Sequence, residues 1–336
     1  MKMPRVRLAF AVWSAAFLIS SSANAQSDPG LARLESELTR LSTIAGGKVG
    51  VGIHHLETGR QLYLNADEPF PMASTFKVPV AYQLFTLVDQ GKVRLDSMIT
   101  VQPQDLHPGS GTLSNLFDDP GVSLSLRNLT ELMLLISDNS ATDMVLKAAG
   151  NGSAVNARLA QVGVSGISVD RPTILLIADA MGVKGLGSEE TWSRQRFGEL
   201  SRATTDADRT AAREAFLKDR RDTSTPRGMT ALLTKIYRKD GLSPAMSDLL
   251  MDIMYRCETG NARIKGLLPP NVRVAHKTGT LNMGITNDVG IIDLPDGAGH
   301  VVLSVFVKEA TGNAEAQERQ IAQVARAVYD YFVFNR

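Results

Sequence analysis

The sequence predicts an α+β fold: one antiparallel sheet built from the N- and C-terminal segments and flanked by helices, with an all-helical region inserted in its middle. Three observations lead there. β-rich runs cluster near the N-terminus (48–64) and again late in the chain (272–307), helical periodicity fills the interval, and no repeat, low-complexity tract or linker separates independent halves. The sheet region takes in residues 30–68 and 262–336 and the helical region residues 69–261, as parts of a single catalytic domain spanning 26–336. A cleft is expected where the two regions meet.

The first 25 residues read as an address rather than as fold. Lys2, Arg5 and Arg7 form a positive n-region, Leu8 to Ile19 is too short an apolar run to span a bilayer comfortably, and Ala23-Asn24-Ala25 has small residues at the cleavage positions. Cleavage after Ala25 and export to the periplasm as a soluble protein are predicted, with no stable membrane anchor. No cysteine flanks the cleavage site, so nothing suggests a lipid.

Leu31 to Leu41 has the apolar spacing of an amphipathic helix. Lys48 to Ile53 then alternates, with Val49, Val51 and Ile53 on one face, and Thr58-Gly59 turns that strand into a second, Gln61 to Leu64. Helices follow at Ser74 to Gln90, Leu126 to Ile136, Ala141 to Ala149 and Ala154 to Val162. Two more begin at Thr225-Pro226 and Ser243-Pro244, where a capping hydroxyl precedes proline at the first helical position. Strands return at Val272 to Thr280, Asp288 to Leu294 and Val301 to Val307, with Pro295-Asp296-Gly297 as a turn. A last helix carries Ile321, Val324, Val328 and Phe332 along one face.

The formal net charge is +1 with no basic block, so neither nucleic acid nor an anionic membrane is expected as a partner, and a monomer is expected. Cys257 is the only cysteine, which excludes an intrachain disulfide; it reads as a buried packing residue. His54, His55, His107, His276 and His300 show no zinc-ligand spacing, and no metal or cofactor is expected.

Three short strings carry the chemistry: Ser74-Thr75-Phe76-Lys77, Ser137-Asp138-Asn139 and Lys277-Thr278-Gly279. A serine is a poor nucleophile without a base, and residues three apart on a helix project to the same side, so Lys77 falls within reach of Ser74. Lysine is a base only when its pKa is lowered, and burial together with a second cation, Lys277, both push that way. Ser74 opens an apolar helix, whose terminal N–H groups favour developing negative charge. Each string alone has a plain reading: a solvated helix, a helix cap and turn, and a lysine-guarded edge strand whose glycine marks a close approach of a ligand to the backbone. Their order and context together point to an active site.

In these strings the chain resembles the class A β-lactamases and their relatives among the penicillin-recognising serine enzymes. The resemblance runs from about Leu31 to the C-terminal helix. It is carried also by Pro108-Gly109-Ser110-Gly111, by Asp222-Thr223-Ser224-Thr225-Pro226 and by Thr286-Asn287-Asp288. It implies a β-lactamase/transpeptidase-like fold, acylation of Ser74, proton abstraction by Lys77 and proton transfer from Ser137 to the leaving nitrogen. Asn139 would hold Lys77 and the substrate's side-chain amide, while Lys277, Thr278 and Thr280 of the strand carrying Gly279 would bind a carboxylate. The backbone N–H groups of Ser74 and Thr280 would form the oxyanion hole, and Arg263 matches a carboxylate-binding arginine of some members. The substrate implied is a β-lactam or a D-alanyl-D-alanine peptide.

One residue departs from the pattern. Where the family carries a glutamate two residues after an arginine, to activate the water that releases the acyl-enzyme, this chain has Thr173 after Arg171, followed by Ile174-Leu175-Leu176-Ile177. The loop (170–222) is also enlarged: if Arg171 pairs with Asp222 at its neck, about 50 residues lie between them. Glu189 to Arg221 balances acids against arginines and reads as one or two solvated helices; Asp179, Glu189 and Glu190 are candidate replacement bases within the inserted segment 179–221. Three readings follow. They are a β-lactamase with slow or altered deacylation, a D-alanyl-D-alanine peptidase that needs no such glutamate, and a binder that stays acylated.

Overall fold

The alternation Lys48-Val49-Gly50-Val51-Gly52-Ile53 decides how the sheet is covered. On one face Val49, Val51 and Ile53 pack against Leu34, Leu38 and Leu41 of the N-terminal helix and against Ile321, Val324, Val328 and Phe332 of the C-terminal one. On the other face the glycines admit a helix to backbone contact: a β-carbon at Gly52 would strike Thr230 Oγ1 and stand 2.7 Å from the Pro226 carbonyl oxygen. The computed structural model describes residues 28–117 and 121–335, together with Met1. The leader read from the sequence and its cleavage site after Ala25 lie outside the described residues.

In chain order, α1 (Pro29–Leu41) precedes β1 (Lys48–His55), β2 (Gln61–Leu64) and β3 (Phe70–Pro71). A 3-10 turn (Ala73–Phe76) leads into α2 (Lys77–Asp89), followed by β4 (Met98–Thr100), α3 (Leu113–Leu116), β5 (Ser123–Ser125), α4 (Leu126–Leu135), α5 (Asn139–Ala148) and α6 (Asn151–Gln161). The enlarged loop folds as α7 (Thr173–Met181), α8 (Arg194–Ala203) and α9 (Asp206–Lys218). Then come β6 (Thr223–Ser224), α10 (Pro226–Tyr237), α11 (Pro244–Tyr255), β7 (Val274–Leu281), β8 (Ile285–Asp293), β9 (His300–Lys308) and α12 (Ala314–Phe334).

The sheet order is β2-β1-β9-β8-β7, with every neighbouring pair antiparallel, so the two ends of the chain build one sheet as the sequence predicts. Thr225 and Ser243 cap α10 and α11, accepting from the Gly228 and Met246 N–H groups at 3.0 and 3.3 Å. Across the cleft, α2 is the buried axis of the helical region, surrounded by α4, α5, α6 and α11. That region is not wholly helical. Two small antiparallel pairs, β3 with β6 and β4 with β5, lie within it; strands of two or three residues are too short to show alternation in the sequence.

The neck of the enlarged loop closes as expected. Arg171 Nε donates to Asp222 Oδ2 at 2.6 Å, with both side chains buried, and Arg171 Nη1 reaches Asp179 at 2.6 Å and Asp219 at 3.1 Å. Asp222 Oδ1 also accepts from the backbone N–H groups of Asp170 and Arg171. Burial holds the Asp222 carboxyl above its ordinary value despite those N–H donors and the Arg171 guanidinium. Removing the cation would therefore leave a buried carboxylate uncompensated. Arg171→Ala is expected to destabilise the protein by about 3 kcal/mol or more in urea unfolding; a change below about 1 kcal/mol would mean that the neck is not a structural clamp.

Candidate active site

The nucleophile sits on a turn fixed from three directions. Asn287 of β8 donates from Nδ2 to the Pro71 and Met72 carbonyls, both at 2.9 Å, while its Oδ1 accepts from the Val307 N–H on β9. The Met72 N–H donates to the Asp222 carbonyl at 2.9 Å, tying the turn to the loop neck. Ala73 then adopts a left-handed conformation, φ 45°, that a non-glycine residue keeps only under such constraint. The sequence predicts one helix from Ser74. Instead Ser74 lies in the 3-10 turn and α2 begins at Lys77; residues three apart nearly eclipse in a 3-10 turn, so Ser74 and Lys77 still share a side.

Gly279 of β7 lies directly beneath this turn. A β-carbon there would stand 2.5 Å from the Met72 carbonyl oxygen and 3.0 Å from the backbone nitrogens of Ser74 and Thr75. The close approach inferred from this glycine is made here by the backbone of the turn that carries Ser74.

Ser137 supplies the centre of the site. Its φ of 62° is left-handed, and its carbonyl accepts from Lys77 Nζ at 2.7 Å and from Ser110 Oγ at 2.8 Å. Its hydroxyl lies 3.0 Å from Lys77 Nζ and 3.1 Å from Lys277 Nζ. Asn139 Oδ1 accepts from Lys77 Nζ at 3.1 Å, and its Nδ2 donates to the Pro108 carbonyl at 3.0 Å. Between them Asp138, fully buried, caps α5 through the Ala141 N–H and accepts from the Thr112 and Leu113 N–H groups. The string is thus a helix cap through Asp138 and, through Ser137 and Asn139, the contact to the buried lysines.

Lys77 and Lys277 are completely buried. Burial, reinforced by the neighbouring Lys277, holds Lys77 well below the ordinary lysine range. Burial also lowers Lys277, to about 8, so it remains a cation at neutral pH.

Ser74, Ser137, Asn139, Thr278, Gly279, Thr280 and Arg263 all line one cavity of about 470 Å³. Arg263 is buried rather than a surface guanidinium. It donates to the Gly279 and Asn287 carbonyls at 3.2 and 2.9 Å and to Thr280 Oγ1 at 2.7 Å, with Glu318 at 3.1 Å as its ionic partner. Arg263 therefore shapes the strand that carries Thr280. Among the described residues, no three His, Cys, Asp or Glu side chains are grouped to hold a metal ion.

The opposite wall is α7, with Thr173, Leu176, Ile177, Ala180 and Met181 facing the cavity. No aspartate or glutamate is among the residues lining it. The candidate replacement bases lie elsewhere: Asp179 pairs with Arg171 and Arg221, Glu189 pairs with Lys147 at 2.7 Å, and Glu190 is exposed on the 3-10 turn beside it. Each is drawn to a guanidinium, an ammonium or water. Residues that the sequence reading left without a role include Ser110, Asn287 and Asp143. Asp143 accepts from the Thr173 and Ile174 N–H groups at 2.6 and 3.1 Å, fixing the start of α7, and lies 2.8 Å from His107 Nδ1. Ser110 and Asn287 lie in two of the segments that carry the resemblance, which was their signal in the sequence; nothing local marks Asp143.

A serine on a constrained turn, facing the same cavity as a second serine that bridges two buried lysines, is an arrangement suited to serine acyl transfer. The comparisons agree and are more specific. The sequence profile of the Beta-lactamase enzyme family matches residues 33–332. Beta-lactamase VEB-1 of Pseudomonas aeruginosa is 29% identical over 317 residues, 92% of each chain, and Extended-spectrum beta-lactamase PER-1 of the same organism is 28% identical over 298 residues, 86% of this chain and 85% of that one. An ancestral (GNCA) class A β-lactamase structure superposes with a TM-score of 0.71 at 32% identity, covering 88% of this chain and 99% of the other. The chain belongs to the beta-lactamase enzyme family, in class A, and is a serine β-lactamase-like hydrolase.

Lys277 gives this site a pH signature. Its ammonium is present below about pH 8 and is lost above it, so acylation of Ser74 by a carboxylate-bearing donor is expected to fall as pH rises through that value. Lys277→Arg should move the fall upward by more than a pH unit in stopped-flow acylation. An unmoved alkaline limb would assign it to another group.

Proposed function

We propose that the protein is an exported, monomeric hydrolase that acylates Ser74 with a β-lactam and releases the acyl group slowly. The observation that carries this reading is the pairing of a complete acylation apparatus with a cleft that no carboxylate lines. In acylation, Ser74 Oγ attacks the lactam carbonyl carbon as its proton passes to neutral Lys77. The carbon–nitrogen bond breaks, the departing nitrogen takes the Ser137 hydroxyl proton, and Lys77 returns a proton to Ser137 over 3.0 Å. Lys277, Thr278 and Thr280 hold the substrate carboxylate.

Release requires a water molecule to attack the Ser74 ester. At the family's glutamate position stands Thr173, whose hydroxyl has no useful basicity, and the rest of the α7 face is apolar. Export rests on the leader with Lys2, Arg5 and Arg7, the apolar stretch and Ala25. The same empty base position also suits a D-alanyl-D-alanine peptidase, which uses these acylating residues.

Incubation of the mature protein with a fluorescent penicillin tests the reading. Label is expected on Ser74, to be absent from Ser74→Ala, and to outlast acylation by at least about a hundredfold in time. Label on another residue would overturn the assignment. Release of D-alanine from a peptide substrate at a rate exceeding drug hydrolysis would move the function to the peptidase.

A further inference from the structure

Thr278 of β7 is gripped from outside its strand. After α11 the chain passes Cys257, Thr259 and Gly260, and the last two line the cavity that contains Ser74 and Thr278. Gly260, at φ 73°, brings this segment onto the Thr278 side chain: a β-carbon there would strike Thr278 Cγ2. The Thr278 hydroxyl meets the Thr259 hydroxyl at 2.6 Å. Methyl and hydroxyl are thus both engaged, which fixes the Thr278 rotamer. Thr259 Oγ1 in turn lies 3.3 Å from Cys257 Sγ. The segment is tied down at its start, where the Glu258 N–H donates to the Leu135 carbonyl at 3.0 Å and Lys265 Nζ to the Cys257 carbonyl at 3.1 Å. Cys257 is buried, as the sequence predicts, but it does more than fill space.

A hydroxyl has one proton, and a carboxylate only accepts. For Thr278 to hold a carboxylate its proton has to point into the cavity, and its oxygen must then accept from its neighbour. Thr280, on the same strand, is set this way outright: Arg263 Nη2 lies 2.7 Å from Thr280 Oγ1, and a guanidinium can only donate. Thr259 is not so constrained, because a hydroxyl can give or take. Cys257 decides the direction. Sulfur is a weak acceptor, so the Thr259 proton goes to the Thr278 oxygen. The thiol proton is then left to the Thr259 oxygen, its nearest acceptor at 3.3 Å, with the Leu135 and Thr259 carbonyls farther off at 3.8 and 4.0 Å. Hydrogen bonds aligned in this way strengthen one another.

We propose that Thr259 is a positioning residue for the acyl donor's carboxylate, and that one run of hydrogen bonds, from Cys257 Sγ to Thr259 Oγ1 to Thr278 Oγ1, turns the Thr278 proton toward it. The inference rests on the reading above, in which Lys277, Thr278 and Thr280 hold that carboxylate. Among the described residues no hydrogen bond joins Thr259 to Ser74, Lys77 or Ser137, so Thr259 acts on binding and not on the transfer of the Ser74 proton.

The test compares a penicillin with the methyl ester of its ring carboxylate in second-order acylation of Ser74, giving a carboxylate-to-ester rate ratio for each protein. Thr259→Val is expected to lower that ratio at least about fivefold, through a higher half-saturating concentration at an unchanged limiting rate, and Thr259→Ser to restore it. A residue that merely supported the fold would slow both donors alike and leave the ratio where it was. The wild-type protein gives a second readout that needs no variant. Cys257 is the only cysteine, so it alone supplies the S–H stretching band, and that band is expected to move to lower frequency when the penicillin, but not the ester, is bound. An unchanged ratio in Thr259→Val, or an unmoved band in wild type, would overturn this inference while leaving acylation intact. Equal wild-type rates for penicillin and ester would overturn the carboxylate reading beneath it, and absence of label on Ser74 would overturn acylation itself.

Discussion

Two buried lysine nitrogens converge on the hydroxyl of Ser137, at 3.0 and 3.1 Å, and the remaining geometry follows from keeping them there. Moving ammonium groups out of water is costly, and a second cation nearby raises the cost for the first. Burial and the neighbouring Lys277 hold Lys77 well below the ordinary lysine range, the direction in which a serine base must be moved. The acceptors that hold Lys77 all come from one short segment: the Ser137 carbonyl, the Ser137 hydroxyl and the Asn139 amide oxygen. Directing them inward bends Ser137 into a left-handed conformation, and the Asp138 cap and the Ser110 hydroxyl stabilise that bend.

The nucleophile is positioned by the sheet rather than by its own helix. Asn287 holds the two carbonyls before the turn, and Gly279 lets the turn rest on β7. The backbone of Asp222 closes the remaining side, so the clamp at the loop neck and the turn carrying Ser74 are mechanically joined. A disturbance at Arg171 thus reaches the turn that carries Ser74 through Asp222 and Met72.

Much of this was legible in the sequence because it is periodic or repeats a known order. The alternation from Lys48 to Ile53, the hydroxyl–proline starts of α10 and α11 and the stripe of α12 are local signals, and the three strings name their own residues. What escaped depends on contacts between distant segments. The 3-10 character around Ser74 is imposed by Asn287, more than 200 residues away, and the pairs β3–β6 and β4–β5 are too short to show a period. The apolar run after Arg171 could be seen to lack a base, but its role as a cleft wall needed the positions of α8 and α9. Asp179, Glu189 and Glu190 were chemically plausible and spatially misplaced, a distinction that composition cannot make.

Acylation and release are separate demands, and on the function proposed above this chain meets them unequally. Lys77, Ser137, Asn139 and Lys277 are joined by hydrogen bonds and Ser74 lines the same cavity as Ser137 and Asn139, while the opposite wall is an apolar helix braced by the added helices. The most direct measurement is the mass of the intact protein followed over time after a single pulse of penicillin, in wild type and in Thr173→Glu. The account predicts a lasting wild-type adduct that Thr173→Glu sheds at least about tenfold faster, since a carboxylate on that helix can accept the water proton. A wild-type adduct that disappears as fast as it forms would contradict it.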